Sequence, residues 1–258
     1  MTPLATAEQP NSAVSLRGVG HAFGATNVLD RIDLEIEQGE FLAIVGPSGC
    51  GKSTLLRLIA GLNSPSAGAI SVADAALALV FQDAHLLPWR TVLDNVALPL
   101  ELVDIAPAEA KQRASAALGD VELSHAIQRF PDELSGGMRM RVSIARALVT
   151  EPKLLLLDEP FAALDELTRQ RLDERLRALW QQRRMTVVLV THSLAEAAFL
   201  ADRAVVMSQH PARIVLDHRL NLPTERKSSL RTTVDFSREI ALLTHALEAH
   251  GSADEARA

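Results

Sequence analysis

Gly46-Pro47-Ser48-Gly49-Cys50-Gly51-Lys52-Ser53-Thr54 decides how the rest of the chain is read. It follows an apolar run, Phe41-Leu42-Ala43-Ile44-Val45, and precedes Leu55-Leu56-Arg57-Leu58-Ile59-Ala60, whose apolar positions recur with helical spacing. The stretch is therefore a loop between a buried strand and a helix. A phosphate-binding loop needs that context. Glycines let the backbone curl with its N–H groups inward, the helix N-terminus adds partial positive charge, and Lys52 adds a full one. The Ser53 hydroxyl suits Mg²⁺, a hard cation that prefers oxygen ligands. The alternative is an ordinary glycine-rich turn, which the flanking strand and helix argue against.

At 258 residues the chain can bury a full core as one large domain, or as one domain with an inserted subdomain. The formal charge of −6 and the lack of a long basic stripe argue against nucleic acid as a partner. Cys50 is the single cysteine, so no internal disulfide can form and a reducing cytosol is the natural compartment. Residues 1–13 are small, polar and proline-containing, without a basic start followed by an apolar core, and read as a flexible tail rather than a signal peptide. No apolar run approaches a membrane span; the best are Ala75 to Phe81 and Leu154 to Leu157. The expectation is a soluble protein able to dock on a membrane protein.

In chain order, Val14-Ser15-Leu16 begins a strand, and Ile32 to Glu37 alternates apolar with acidic residues, as a strand with one wet face does. Between them, Phe23 is a lone aromatic in a turn, which could stack on a nucleotide base or pack under the turn. The helix after the phosphate loop stops near Gly61, residues 63–68 form a loop, and Ala69 to Val72 and Ala76 to Phe81 read as short strands. Gln82 follows the second of these, where a polar side chain points toward the crevice that binds ligands in open α/β sheets. Residues 90–130 turn alanine-rich and helical, with Pro107 at a first helical position.

Leu134-Ser135-Gly136-Gly137-Met138-Arg139-Met140-Arg141 opens another helix. Ser-Gly-Gly at a helix start offers free N–H groups and a hydroxyl to an anion, or simply an N-cap with a tight entry. Arg139, Arg141 and Arg146 read as a solvated face. The buried strand Leu154 to Leu157 ends in Asp158-Glu159-Pro160, two adjacent carboxylates that suit Mg²⁺-phosphate chemistry, one toward the metal and one toward an attacking water. Asp165 precedes a helix whose buried face carries Leu172, Leu176, Leu179 and Trp180. The strand Thr186 to Thr191 delivers His192 beside the same crevice, which favours a phosphate contact over a purely structural hydrogen bond. Ser193 to Glu196 has capping-box spacing. Arg203 to Met207 and Arg213 to Asp217 close the fold, and residues 221–258 read as a polar linker, one helix around Phe236 to Leu247, and a frayed end.

This order of signals resembles the ATP-binding subunit of an ATP-binding-cassette (ABC) transporter over residues 14–220. Leu134-Ser135-Gly136-Gly137-Met138 matches the family signature, which other phosphate-loop proteins lack. Phe81-Gln82-Asp83, Leu86-Leu87-Pro88-Trp89-Arg90-Thr91-Val92 and Gly137 to Arg141 look like the importers of nitrate, sulfonates, taurine and related solutes. The resemblance implies an α/β P-loop NTPase with a RecA-like core, a small antiparallel β subdomain and an inserted helical subdomain at about residues 83–150.

By that resemblance Phe23, where many relatives have Tyr, would stack on adenine. Residues 46–54 with Lys52 would cradle the β and γ phosphates, and Ser53 and Gln82 would ligate Mg²⁺ with Asp158 in the metal's shell. Glu159 would be the general base and His192 would hold the γ-phosphate, which makes Glu159, His192 and Gln82 the catalytic set. Ser135, Gly136 and Gly137 would reach the ATP of a second copy, and Asp165 would sit at the seam of the homodimer.

The cofactors implied are ATP and Mg²⁺. The partners are a second cassette, membrane permease subunits and, indirectly, an extracytoplasmic solute-binding protein, with the chain peripheral on the cytoplasmic face of the inner membrane. Leu86, Leu87 and Trp89 would line a permease groove or belong to the subdomain core. A shortened segment from Lys52 to Gln82 implies a trimmed antiparallel portion, and Met140 stands where Gln is common. The transported solute is not encoded, and importers of vitamin-precursor pyrimidines fit the same motifs. The alternative from another class is a cassette ATPase acting as a mechanical factor without a membrane partner. Cys50, inside the cradle, is expected to make nucleotide binding sensitive to thiol alkylation.

Overall fold

The computed structural model describes residues 12–73 and 76–255. It opens with β1 (Ser12–Phe23) and β2 (Thr26–Glu37), joined by Gly24-Ala25 into an antiparallel hairpin in which Phe23 faces Thr26. β3 (Phe41–Val45) leads through the glycine-rich loop into α1 (Lys52–Ile59), and β4 (Ala67–Val72) returns to pair antiparallel with β1. β5 (Leu77–Val80) is followed by three helices, α2 (Val92–Glu101), α3 (Pro107–Asp120) and α4 (Gly136–Leu148). Strands and helices then alternate through β6 (Leu154–Asp158), α5 (Glu166–Arg183), β7 (Thr186–Val190) and α6 (Leu194–Leu200). β8 (Arg203–Met207), β9 (Ile214–Arg219) and α7 (Val234–Glu255) complete the chain.

The strands form a three-stranded sheet, ordered β2-β1-β4, and a six-stranded sheet, ordered β5-β6-β7-β3-β8-β9. The large sheet is parallel from β5 to β8, and β9 pairs antiparallel at its edge. Every residue of β3, β6 and β7 is buried, which is why these strands read as continuous apolar runs rather than alternating ones. β2 does alternate: Ile32, Leu34 and Ile36 face inward while Asp33, Glu35 and Glu37 meet water. Along β3, Leu42 and Ile44 join one apolar core with the small sheet and α1. Phe41, Ala43 and Val45 join the other, with α2 to α7.

α1 ends in a Schellman turn. Gly61 has φ +70°, its N–H donates to Leu58 O, and the Leu62 N–H donates to Arg57 O. Pro107 occupies the first turn of α3, where its missing N–H costs nothing.

Several expectations need correction. β1 starts at Ser12, so the last two residues of the expected tail are strand, and the rest of that tail lies outside the described residues, as does Ala75 of the apolar run beginning there. Arg141 and Arg146 are half-buried rather than a solvated face, because their guanidinium groups satisfy loop carbonyls: Arg141 that of Val121, Arg146 those of Ala84 and His85.

The stretch after residue 220 is no free linker. Arg226 is 6% exposed and Leu230 is buried in a short 3-10 turn, Ser228–Thr232. α7 continues through the expected frayed end to Glu255, and its Phe236 and Leu243 enter the core.

Candidate active site

The carboxyl ends of β5, β6, β7 and β3 meet along one edge of the large sheet, the place where open α/β sheets bind ligands. The glycine-rich loop follows β3. Gly51 has φ +116°, and a Cβ there would lie 2.9 Å from both Val28 Cγ1 and Leu29 Cδ2, so only glycine fits this approach to β2. Lys52, 4% exposed, folds back across its own loop, and Nζ donates to Gly46 O and Pro47 O at 2.8 Å each. Among the described residues no carboxylate forms an ion pair with it. A buried ammonium held only by neutral carbonyls is poised to gain from an anion.

Ser53 Oγ donates to Asp158 Oδ1 at 2.8 Å, joining the loop to the end of β6. Asp158 is buried, and that burial raises its pKa above the usual carboxylate range. The Ser53 hydrogen bond pulls the other way, and Glu159 adds like charge. A hydroxyl and a carboxylate held together are hard oxygen donors of the kind Mg²⁺ takes.

Glu159 occupies the left-handed region at φ +47°, a conformation costing about 1–3 kcal/mol for a non-glycine residue. Its N–H still donates to Val190 O at 2.9 Å. Oε2 of Glu159 lies 3.1 Å from His192 Nδ1 across the gap between β6 and β7. The Glu159 side chain is 18% exposed and that of His192 53%, so both can be reached from the edge.

Thr191 anchors this turn: its N–H donates to Ile44 O, and its Oγ1 accepts the Ser193 N–H at 3.0 Å. Ser193 Oγ caps α6 by accepting the Glu196 N–H. Only half of the expected capping box forms, because the Ser193 N–H goes to Thr191 and the Glu196 carboxyl is buried instead.

Gln82 lies exposed just past β5, in a segment fixed from two sides. Arg146 holds Ala84 O and His85 O, and fully buried Asn95 binds Leu87 N and O, Arg90 O and Thr91 O. The two readings of Leu86 and Trp89 divide: Leu86 packs against the core, while Trp89 is 71% exposed.

Ser135 N-caps α4, with Oγ accepting the Met138 N–H at 3.2 Å. A Cβ on Gly137 would come within 2.3 Å of Leu164 Cδ2, so the Ser-Gly-Gly turn packs directly on the residue before Asp165. Asp165 caps α5, and the Thr168 hydrogen bonds hold its carboxyl below the usual range. No hydrogen bond joins residues 135–137 to residues 46–54 among the described residues.

Phe23 is not in a turn. It ends β1, 53% exposed, with its ring edge-on to His21 at 4.7 Å, so it does not pack underneath the hairpin. Cys50 belongs to the loop through its backbone, but its side chain is 2% exposed in the core, and burial pushes its thiol pKa up. Both features argue against the alkylation expectation.

Sequence reasoning did not single out Asn95, and it read Arg146 as part of a solvated face, Thr191 only as the end of a strand and Glu196 only as a capping residue. Asn95 and Arg146 carried a signal, each a polar residue inside an apolar helical stripe.

The ABC transporter family model matches residues 29–162. The chain is 48% identical over 227 residues to an aliphatic sulfonates import ATP-binding protein, SsuB 1, of Pseudomonas syringae pv. tomato, covering 88% of this chain and 80% of that protein. An aliphatic sulfonates import ATP-binding protein, SsuB, of Mycobacterium sp. strain MCS is 49% identical over 215 residues, covering 83% of this chain and 86% of that protein. Among solved structures, the dimeric post-hydrolysis state of the ATP-binding cassette MJ0796 bound to ADP and Pi superposes with a TM-score of 0.75 at 32% identity, over 81% of this chain and all of that one. With the loop after β3, the Asp158-Glu159 edge and the signature turn arranged as described, the chain belongs to the ABC transporter family, as one of its ATP-hydrolysing cassettes.

Proposed function

We propose that this cassette powers import of a small sulfonate or a chemically similar solute through a permease to which it binds peripherally on the cytoplasmic side. The observation that carries the catalytic part is the contact of Glu159 with His192, 3.1 Å apart, next to the Ser53–Asp158 pair. The solute class follows from the relatives, which are named for aliphatic sulfonate import. No helix among the described residues is long and apolar enough to cross a membrane, and in this reading permease subunits supply the path.

In this reading Lys52 exchanges its two carbonyl contacts for the β and γ phosphates, which the amides of residues 46–54 also bind. Phe23, exposed at the hairpin tip, stacks on adenine. Ser53, Gln82 and Asp158 would hold Mg²⁺, which when bound would offset negative charge on the phosphate oxygens. Glu159 takes a proton from water as the water oxygen attacks the γ-phosphorus and the bond to ADP breaks. His192 Nδ1 restrains the Glu159 carboxylate and turns the ring toward the γ-phosphate.

Ser135, Gly136 and Gly137 face the ATP of a second copy, with Asp165 at the seam. Each cassette thereby presents half of two sites, and nucleotide drives closure of the pair because it completes both. Residues 83–150 form the subdomain that carries this half-site.

Uptake of alkanesulfonates, taurine and nitrate, measured in cells lacking this chain and in cells given it back, tests the solute class. Loss of sulfonate uptake, restored by wild-type but not by Glu159→Gln, is expected. Unchanged uptake of all three solutes on deletion overturns the assignment.

A further inference from the structure

α6 begins directly after His192, so whatever orients this short helix orients the histidine. Its far side is gripped by the segment after β9, which contributes nothing to the nucleotide edge itself. Arg226 donates to the carbonyls of Ala198, Phe199 and Ala201 at the end of α6. Arg231, from the 3-10 turn Ser228–Thr232, lies 3.9 Å above the ring of Phe199, and its Nη2 is 2.5 Å from Asp173 Oδ2 on α5. Asp173 is buried at 1% exposure and the Arg231 side chain is 13% exposed.

Glu196, on the first turn of α6, is 4% exposed with Oε1 lacking a partner; Asp173 Oδ1 and Arg231 Nε also lack one. The groups facing Glu196 are Asp173 and Arg169 from α5, Glu159 from the end of β6, and the Thr191 hydroxyl. Those facing Asp173 are Arg231, Arg169 and Glu166. Arg169 is already paired with Glu166 at 2.6 Å, which leaves Arg231 as the cation paired with Asp173. Burial pushes Asp173 up to about 7 and Glu196 up to about 8. Thr191, which faces Glu196 and also receives the Ser193 N–H, and Ser193, which caps α6, flank His192 in sequence.

We propose that Arg231 is a positioning residue for ATP hydrolysis: by pairing with Asp173 on α5 and lying over the Phe199 ring on α6, it ties the two helices together and sets α6 so that His192 meets Glu159. This rests on the roles of His192 and Glu159 given above. A displaced histidine impairs the reaction more than the binding of ATP, whose main contacts lie on the loop of residues 46–54, and a displacement of about 1 Å can cost a hundredfold in rate.

The test is steady-state Mg-ATP hydrolysis by the full chain, with rates divided by the number of ATP-binding sites titrated. Variants are Arg231→Gln, Arg231→Lys, Asp173→Asn, the double variant Arg231→Gln/Asp173→Asn, and His192→Ala. Arg231→Gln and Asp173→Asn are each expected to lower kcat about tenfold with KM for ATP within about twofold. The double variant, which replaces a buried charge pair by two amides, is expected to recover kcat to within about threefold of wild type. Arg231→Lys, which keeps the charge without the flat stack on Phe199, should fall between.

A kcat within twofold of wild type in Arg231→Gln or Asp173→Asn overturns the proposal. So does a double variant whose loss is the product of the two single losses. Should Arg231→Gln not fold, Asp173→Asn and Arg231→Lys decide by the same criteria. His192→Ala separates the layers: if it leaves kcat unchanged, the role of His192 falls and this inference with it. If it lowers kcat while Arg231→Gln does not, only this inference falls.

Discussion

Replacing Arg226 by Met should be among the most destabilising single changes away from the nucleotide edge. Nε of Arg226 donates to Pro223 O at 3.0 Å, and Nη1 donates to Ala198 O, Phe199 O and Ala201 O at 2.8, 2.9 and 2.6 Å. The α6 carbonyls among these have no partner within their own helix, because the last turn of any helix leaves its C=O groups free. Burial lowers the pKa of Arg226 to about 10, so the guanidinium is still charged at neutral pH. Hydrogen bonds from a charged donor contribute roughly 1.5–3 kcal/mol each, offset by several kcal/mol for keeping the charge out of water. Met fills the space of the stem but leaves buried carbonyls bare, and the net loss is about 3–5 kcal/mol. In a chain of 258 residues, each kcal/mol moves the melting temperature by about 2–4 °C. Thermal melts of the full chain at pH 7.5 should therefore show Arg226→Met lower by roughly 6–20 °C, with Arg226→Lys intermediate because its three donors can cover some of the carbonyls. A Met variant melting within 2 °C or so of wild type would refute the claim that these carbonyls depend on Arg226.

Four further outcomes follow from the geometry. Glu159→Gln should retain ATP and accumulate as a dimer in Mg-ATP, since binding contacts survive while the proton acceptor is lost; sedimentation showing only monomer at saturating nucleotide contradicts the base assignment or the dimer. Gly137→Ala, whose new methyl would overlap Leu164, should cost about 1–3 kcal/mol of stability yet lower ATP turnover at least about tenfold, and wild-type turnover would count against the signature role. Asp173 and Glu196 have folded pKa values raised to about 7 and about 8, so the native state binds more protons than the unfolded state from about pH 4 upward. Stability from these groups is full below that range and is lost as pH rises through 7 and 8; urea midpoints at pH 6 should exceed those at pH 8.5 by the equivalent of about 4 kcal/mol, and Glu196→Gln should remove the larger part of the difference. Finally, Cys50 should resist a maleimide in the native protein and react on unfolding; rapid labelling of the folded chain would show the buried thiol to be misplaced.

What the sequence made legible was whatever lay next to an unbroken apolar run. β3, β6 and β7 are buried on both faces, so the polar residues that follow them, Gly46 onward, Asp158-Glu159 and His192, had to emerge together at one sheet edge. Phe23 was misread because β1 carries repeated register shifts against β2, which blur its alternation and made the strand look as if it ended sooner. Arg226 and Arg231 looked like linker residues because arginine and its neighbours Thr224, Lys227 and Ser228 are what loops are made of. Their burial depends on carbonyls of α6 and on Asp173, 58 positions away from Arg231, and neither leaves a periodic trace. The same holds for Arg146, whose partners are two carbonyls of the Gln82 loop.

The short segment from Asp158 to Asp165 ties these pieces into a working unit. It begins in β6 with the carboxylates at the nucleotide edge, turns through Ala162 N–H to Glu159 O and Leu164 N–H to Phe161 O, and ends with Leu164 against Gly137 and Asp165 capping α5. Glu159 is held at a strained φ at one end, while at the other Leu164 leaves no room for a side chain at position 137. These contacts join the Glu159 turn to the Ser-Gly-Gly turn of the same chain. In the proposed pair of cassettes that turn faces the other copy's ATP, so packing within each chain offers a physical link between the two sites beside the seam.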